Sequence, residues 1–345
     1  MLLPYTHCAL QTQLSPRDGE VKIGQQVQLL DAQMPLEQAL TKAKSAGARF
    51  AIIGIAEDIG PRANLGRGGA DNAFNATLSQ WLNLQSNRFF DASQCLIVGQ
   101  ISLNTSANEL SAIDSIPDLR HLTAQLDHAV EAILTQVFAA QLEPIIIGGG
   151  HNNAFPILTA AKHHFSQALS AINLDPHSDF RPREGRHSGN GFSYAAANGA
   201  LNDYHILGLH ELKNTEASLE QLSLFGATWH TFQQIWVRRE LRLDSALEQA
   251  VKKLNQTAAP VGVELDVDAI SKMPSSATTM AGIPLNDACH YLYYIANHSH
   301  SAYCHIAEAA PSCHDSNPQA GARDVGQSVS ELIYAYIQGR LNTVG

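Results

Sequence analysis

A chain of 345 residues, 45% hydrophobic and 16% charged, has room for one large α/β domain or two ordinary ones and is neither disordered nor fibrous. A net charge of −10 and a pI near 5.8 exclude a general binder of phosphate backbones, which needs a cationic face. No run approaches the ~20 apolar residues of a bilayer span, so neither nucleic acid nor a membrane is an expected partner.

Met1 to His7 has neither the basic start nor the apolar stretch of a signal peptide, and the five scattered cysteines include no CxxC pair. Reduced thiols in a cytoplasmic protein are the expectation. Beyond this segment, short apolar runs alternate with stretches of helical periodicity. The predicted strands are Phe50–Ile55, Cys95–Val98, Pro144–Ile147, Ala171–Leu174, Tyr204–Leu209, Ala227–His230, Val261–Val267 and Tyr303–Ile306. Several are unbroken apolar runs, as a sheet covered on both faces requires. Between them, Leu119, Leu122, Leu126, Val130, Ile133 and Val137 form one helical stripe, with Pro117 in its first turn. Leu247, Ala250, Val251 and Leu254 form another, with Asp244 as its expected N-cap. Leu285–Asn297 and Val329–Ile337 also read as helices. This alternation implies a mostly parallel sheet with helices on both faces. Without a repeat or linker to divide it, the chain reads as one domain over residues 1–345.

Sheets of this kind bind ligands at the carboxyl ends of their strands. Polar residues stand there in three places: Gly148-Gly149-Gly150-His151, Asp175-Pro176-His177-Ser178-Asp179 and Asp266-Val267-Asp268. In an extended chain i, i+2 and i+4 share a face, so Asp175, His177 and Asp179 are expected to converge, as are Asp266 and Asp268. Carboxylates packed this way repel unless cations neutralise them. Imidazole and carboxylate without cysteine favour Mn²⁺, Mg²⁺, Fe²⁺ or Zn²⁺. A lone D-x-D is most often a cap or turn, and a lone GGGH is common turn chemistry. All three at strand ends point to a metal site.

Taken in order, these motifs resemble the ureohydrolase superfamily of arginases, agmatinases and formimidoylglutamases. Glu308, in Ile306-Ala307-Glu308-Ala309-Ala310-Pro311, matches the late glutamate of that family, and Asn64-Leu65-Gly66-Arg67 matches its glycine-rich amino-terminal segment. The resemblance implies an arginase-like three-layer α/β/α sandwich around an eight-stranded, mostly parallel sheet. It also implies two Mn²⁺ per subunit held by His151, Asp175, His177, Asp179, Asp266 and Asp268, with Asp175 and Asp266 bridging, and a homo-oligomer. Gly150 stands where arginases and agmatinases have aspartate, and Phe192 where arginases have a histidine after the Ser-Gly-Asn loop. Both features are similar to formimidoylglutamases. Pro176, Ser271 and Ala309-Ala310-Pro311 depart from the usual family residues without touching a ligand.

The implied reaction is hydrolysis of a linear amidine, N-formimidoyl-L-glutamate, to L-glutamate and formamide by a metal-activated water. Asp179 is expected to carry a proton to the departing nitrogen and Glu308 to hold the cationic formimidoyl group. Arg181, Arg183 and Arg186 follow the metal motif directly, and such clustering in an acidic chain suggests carboxylate capture. The expected substrate contacts are Arg183, Arg186, Ser188 and Asn190. The alternatives are a urea-releasing hydrolase of arginine, agmatine or a guanidino acid, and a metal-poor family member kept as a binding subunit.

Overall fold

The computed structural model of the protein describes residues 1–105 and 107–342. Its centre is a ten-stranded sheet. In chain order the strands are β1 (Leu2–Pro4), β2 (Gln28–Leu29), β3 (Phe50–Ile55), β4 (Cys95–Ile101), β5 (Glu143–Ile147), β6 (Leu169–Leu174), β7 (Leu201–Leu209), β8 (Thr228–Thr231), β9 (Val261–Asp266) and β10 (Ser301–Ala307). They lie in the order β1-β4-β3-β5-β10-β9-β6-β7-β8, with β2 also on β4. Among the described strands only β1 runs antiparallel. The eight predicted strands are the parallel body of the sheet, and β1 and β2 share the outer edge of β4. Both extra strands are too short to give a periodic signal.

The pleat sorts side chains onto two faces. Phe50, Ile52, Ile145, Ile147, Val263 and Leu265 pack into one apolar layer, beneath helices Ala73–Trp81, Leu243–Leu254, Leu285–His298 and Pro318–Leu341. Ala51, Ile53, Ile55 and Ile146 pack into the other, beneath helices Leu36–Ser45, Ile116–Ala139, Ala154–Phe165 and Glu216–Phe225. The result is a three-layer α/β/α sandwich. Among the described residues no helix is long and apolar enough to cross a membrane, and all five cysteines are free thiols.

Local chemistry sets the helix ends. Ser115 caps Ile116–Ala139 by accepting from Asp118 N, and Pro117 occupies its first turn. Asp244 is not a cap: Leu243–Leu254 begins after Arg242, and Asp244 lies inside the first turn, where a carboxylate suits the helix dipole. The last helix extends far upstream of Val329, starting at Pro318 behind an Asn317 cap. Its early turns are polar and hold two glycines, so they carry little periodic signal. A Cβ at Gly326 would press into the Ala76 carbonyl oxygen, and one at Gly321 into that of Pro311. The helix can dock closely only because those side chains are missing.

Candidate metal centre

Four strands at the middle of the sheet, β5, β10, β9 and β6, end at one point. They deliver His151, Glu308, Asp266 and Asp175 respectively. The turn after β5 needs glycine at Gly148 (φ 84°) and Gly149 (φ 67°). Gly150 is close-packed, since a Cβ there would meet Pro61 and the Asn152 side chain. Aspartate at this position has no room, which accounts for GGGH.

The six predicted metal residues are together, but not by the expected pleat. β6 ends at Leu174, and Asp175 to Asp179 form an irregular turn in which Asp179 takes φ 45°. Asp268 likewise sits in the single 3-10 turn Val267–Ala269, its N–H donating to Asp266 Oδ1 at 2.8 Å. Glu308 (φ 65°) is a second acid in the left-handed region. Non-glycine residues adopt that conformation only where the surroundings impose it, and they concentrate at functional sites.

The donor atoms fall into two overlapping groups. His151, Asp175, Asp179 and Asp266 offer atoms within 4.8 Å of one another, and so do Asp175, His177, Asp266 and Asp268. Asp175 and Asp266 belong to both. His151 Nδ1 lies 3.3, 3.0 and 3.5 Å from oxygens of Asp175, Asp179 and Asp266. His177 Nδ1 lies 3.5 Å from Asp175 and 3.6 Å from Asp268. One imidazole nitrogen cannot hydrogen-bond three carboxylates at once, and His151 Nδ1, buried, makes no hydrogen bond of proper geometry. Buried Asp268 Oδ1 also lacks a donor. Orphaned lone pairs converging on two shared points fit a pair of divalent cations.

The electrostatics agree. Burial, then the neighbouring Asp175 carboxylate, pushes Asp266 up to about 7. Burial followed by adjacent carboxylates also raises Asp179 and Asp268. Although burial pulls His177 down, Asp268 and Asp175 hold its imidazolium up at about 10. These directions mark a concentration of buried negative charge, which bound cations offset.

Beneath the cluster lies a polar layer that sequence reasoning missed. Glu264, two residues before Asp266 and on the same face of β9, takes a hydrogen bond from Tyr303 Oη at 2.6 Å and lies 2.7 Å from His305 Nδ1. Its Oε2 lies 3.4 Å from His151 Nε2. Asn173 stands two residues before Asp175 and donates to Asp175 Oδ2 at 2.8 Å. Glu57 accepts from Gly150 N (2.6 Å), Gly60 N (2.9 Å) and Asn153 Nδ2 (2.8 Å), tying down the turn before His151. Strand alternation carried the signal for Glu264 and Asn173: polar residues spaced by two at the end of an apolar strand. Phe192 is buried behind His151, stacked on Tyr204 with ring centroids 4.4 Å apart.

A cavity of about 650 Å³ opens over the cluster, lined by His177, Asp179, Asp266, Asp268 and Glu308 among others. Glu308 is buried, accepts from His151 N at 2.9 Å and Ser276 Oγ at 3.3 Å, and is pushed up to about 8 by burial and then Asp268. Of the four expected substrate contacts only Ser188 lines this cavity. Arg186 is 4% exposed, paired with Asp127 at 2.7 Å, bonded to Asn190 Oδ1 and Asn152 O, and stacked on Phe155 and Tyr194. Asn190 is fully buried in the same network and donates to Pro182 O and Gly185 O. Both shape the loop. Arg183 faces an adjoining hollow lined by Phe180, Ala196 and Phe225. The cations on the main cavity wall are instead Arg181, bonded to Asn64 Oδ1 and shared with Glu184, and Lys213. The order of arginines along a loop does not say which way each points.

The profile of the arginase family matches residues 48–332. A formimidoylglutamase of Hahella chejuensis is 26% identical over 263 residues, covering 72% of this chain and 74% of its own. Among solved structures, formimidoylglutamase from Bacillus subtilis superposes with a TM-score of 0.76 at 15% identity, covering 96% of each chain. Trypanosoma cruzi formiminoglutamase with Mn²⁺ superposes at 0.73 with 19% identity, covering 94% of this chain and all of the other. This chain shares its fold with those two structures.

Proposed function

Since the chain belongs to the arginase family, we propose that it hydrolyses a linear amidine, N-formimidoyl-L-glutamate, to L-glutamate and formamide. The observation that carries this reading is the pair of donor groups sharing Asp175 and Asp266 on the floor of the cavity, with Glu308 beside them. The formimidoylglutamase relative and the formiminoglutamase with Mn²⁺ support the substrate and the metal.

In this reading His151, Asp175, Asp179 and Asp266 would hold one Mn²⁺, and Asp175, His177, Asp266 and Asp268 the other. A pair of such ions supplies Lewis acidity and lowers the pKa of coordinated water. The remaining chemistry belongs to the chain. Glu308 orients the planar formimidoyl cation through a charge-assisted hydrogen bond. Attack of water on the formimidoyl carbon releases a proton, and the departing amine nitrogen of glutamate needs one. Asp179 reaches the cavity and can carry it across. Phe192 is buried and has no titratable proton, so it takes no part in this transfer.

The test is a substrate panel with Mn²⁺ supplied: N-formimidoyl-L-glutamate, L-arginine and agmatine, with formamide and urea measured separately. Formamide release with a far higher kcat/KM than urea release is expected. Urea from either guanidino compound as the faster product overturns the substrate while leaving the metal centre standing.

A further inference from the structure

Lys213 lies in the turn after β7, and that turn is fixed to the loop carrying His177 and Asp179. The Asn214 side chain accepts from Ser178 N at 2.8 Å and donates to Pro176 O and His210 O, both at 3.0 Å. Lys213 N itself donates to His210 O at 3.2 Å. The backbone of Lys213 is therefore held beside the cluster, with its side chain on the cavity wall.

The other nearby cations are committed. Arg186 is buried against Asp127, and Arg120 and Arg181 share Glu184 at 3.2 and 3.4 Å. Among the described residues no carboxylate pairs with Lys213. Once the acids of the floor are neutralised by divalent cations, Lys213 is, among the described residues, the cation on the cavity wall with no paired anion. An uncompensated ammonium facing a polar cavity is a carboxylate receptor.

We propose that Lys213 binds a carboxylate of the substrate's tail and sets the preference of this site for acidic amidines over those with uncharged or cationic tails. This rests on the cavity being the active site, and it assigns to Lys213 the role that the loop arginines were expected to fill. Arg181, partly offset by Glu184, is the secondary cation.

The test compares wild type, Lys213→Met and Lys213→Arg, all loaded with Mn²⁺. Kinetics are measured on N-formimidoyl-L-glutamate and on N-butylformamidine, which has the reacting group without a carboxylate. Calorimetry measures binding of the product L-glutamate. For Lys213→Met the ratio of kcat/KM between the two substrates should fall about tenfold to a hundredfold, mostly through KM. Glutamate affinity should fall by a similar factor, and Lys213→Arg should recover most of both. Equal losses on the two substrates, or unchanged glutamate affinity in Lys213→Met, overturn the proposal. If wild type releases no formamide from either amidine, the assigned reaction fails, yet the glutamate titration still decides the role of Lys213.

Discussion

Asp175 and Asp266 each serve two donor groups, so at the residue scale neither can be spared. Asp175→Ala should bring the metal content, measured by plasma mass spectrometry, below two ions per chain and abolish turnover. Full activity with fewer than two ions would contradict a dinuclear site. Arg186 behaves differently. Removing one partner of a buried pair leaves the other charged and unsatisfied, so Arg186→Ala should cost about 3–5 kcal/mol of stability. Thermal or urea unfolding will show this, while KM of the folded fraction stays near wild type. A raised KM at unchanged stability would return Arg186 to the substrate. Sequence spacing sufficed to bring these six His and Asp side chains together because each ends or follows a strand, and strand ends meet in a parallel sheet. It does not place Arg183, Arg186 and Asn190 on the cavity wall, because their loop folds back, burying Arg186 and Asn190 and turning Arg183 to an adjoining hollow. The geometry of Asp175, His177 and Asp179 was right in outcome and wrong in cause: a turn with Asp179 left-handed does what an extended pleat was expected to do.

Elements were legible where both faces are buried. β3, β6 and β9 are buried throughout, and their apolar runs marked them. The first half of Pro318–Leu341 was not legible, because close packing there requires the absence of a side chain. That gives an opposite-sign prediction at Gly326. In an exposed helix Gly→Ala would stabilise by up to about 1 kcal/mol. Here the added methyl meets the Ala76 carbonyl, so Gly326→Ala should lower Tm. A higher Tm would show that the two helices have room to part.

For the whole molecule, pH acts through histidines buried as neutral rings. Burial, followed by the charges of His230 and Lys253, holds His205 down at about 3. Its unfolded value is near 6.5. The unfolded chain therefore takes up a proton that the folded chain refuses. This contribution is fully present above about pH 6.5 and is lost as pH falls toward 3. Between pH 7 and pH 5, urea midpoints should fall less steeply for His205→Gln than for wild type. Parallel lines would exclude His205 as a source of acid sensitivity.

The position of β10 bears on biosynthesis. It lies between β5 and β9, although its residues follow both in the chain. As the polypeptide leaves the ribosome, β5 can pair with β3, and β9 with β6, but the two half-sheets cannot join until residues 301–307 emerge. Until then each half presents an open edge, the surface on which strands mispair and chains aggregate. His151 belongs to one half, and Asp175 and Asp266 to the other. A nascent chain that stops short of β10 can therefore gather Asp175, His177, Asp266 and Asp268 on the β6–β9 half, but His151 reaches them only once residues 301–307 have joined the two halves.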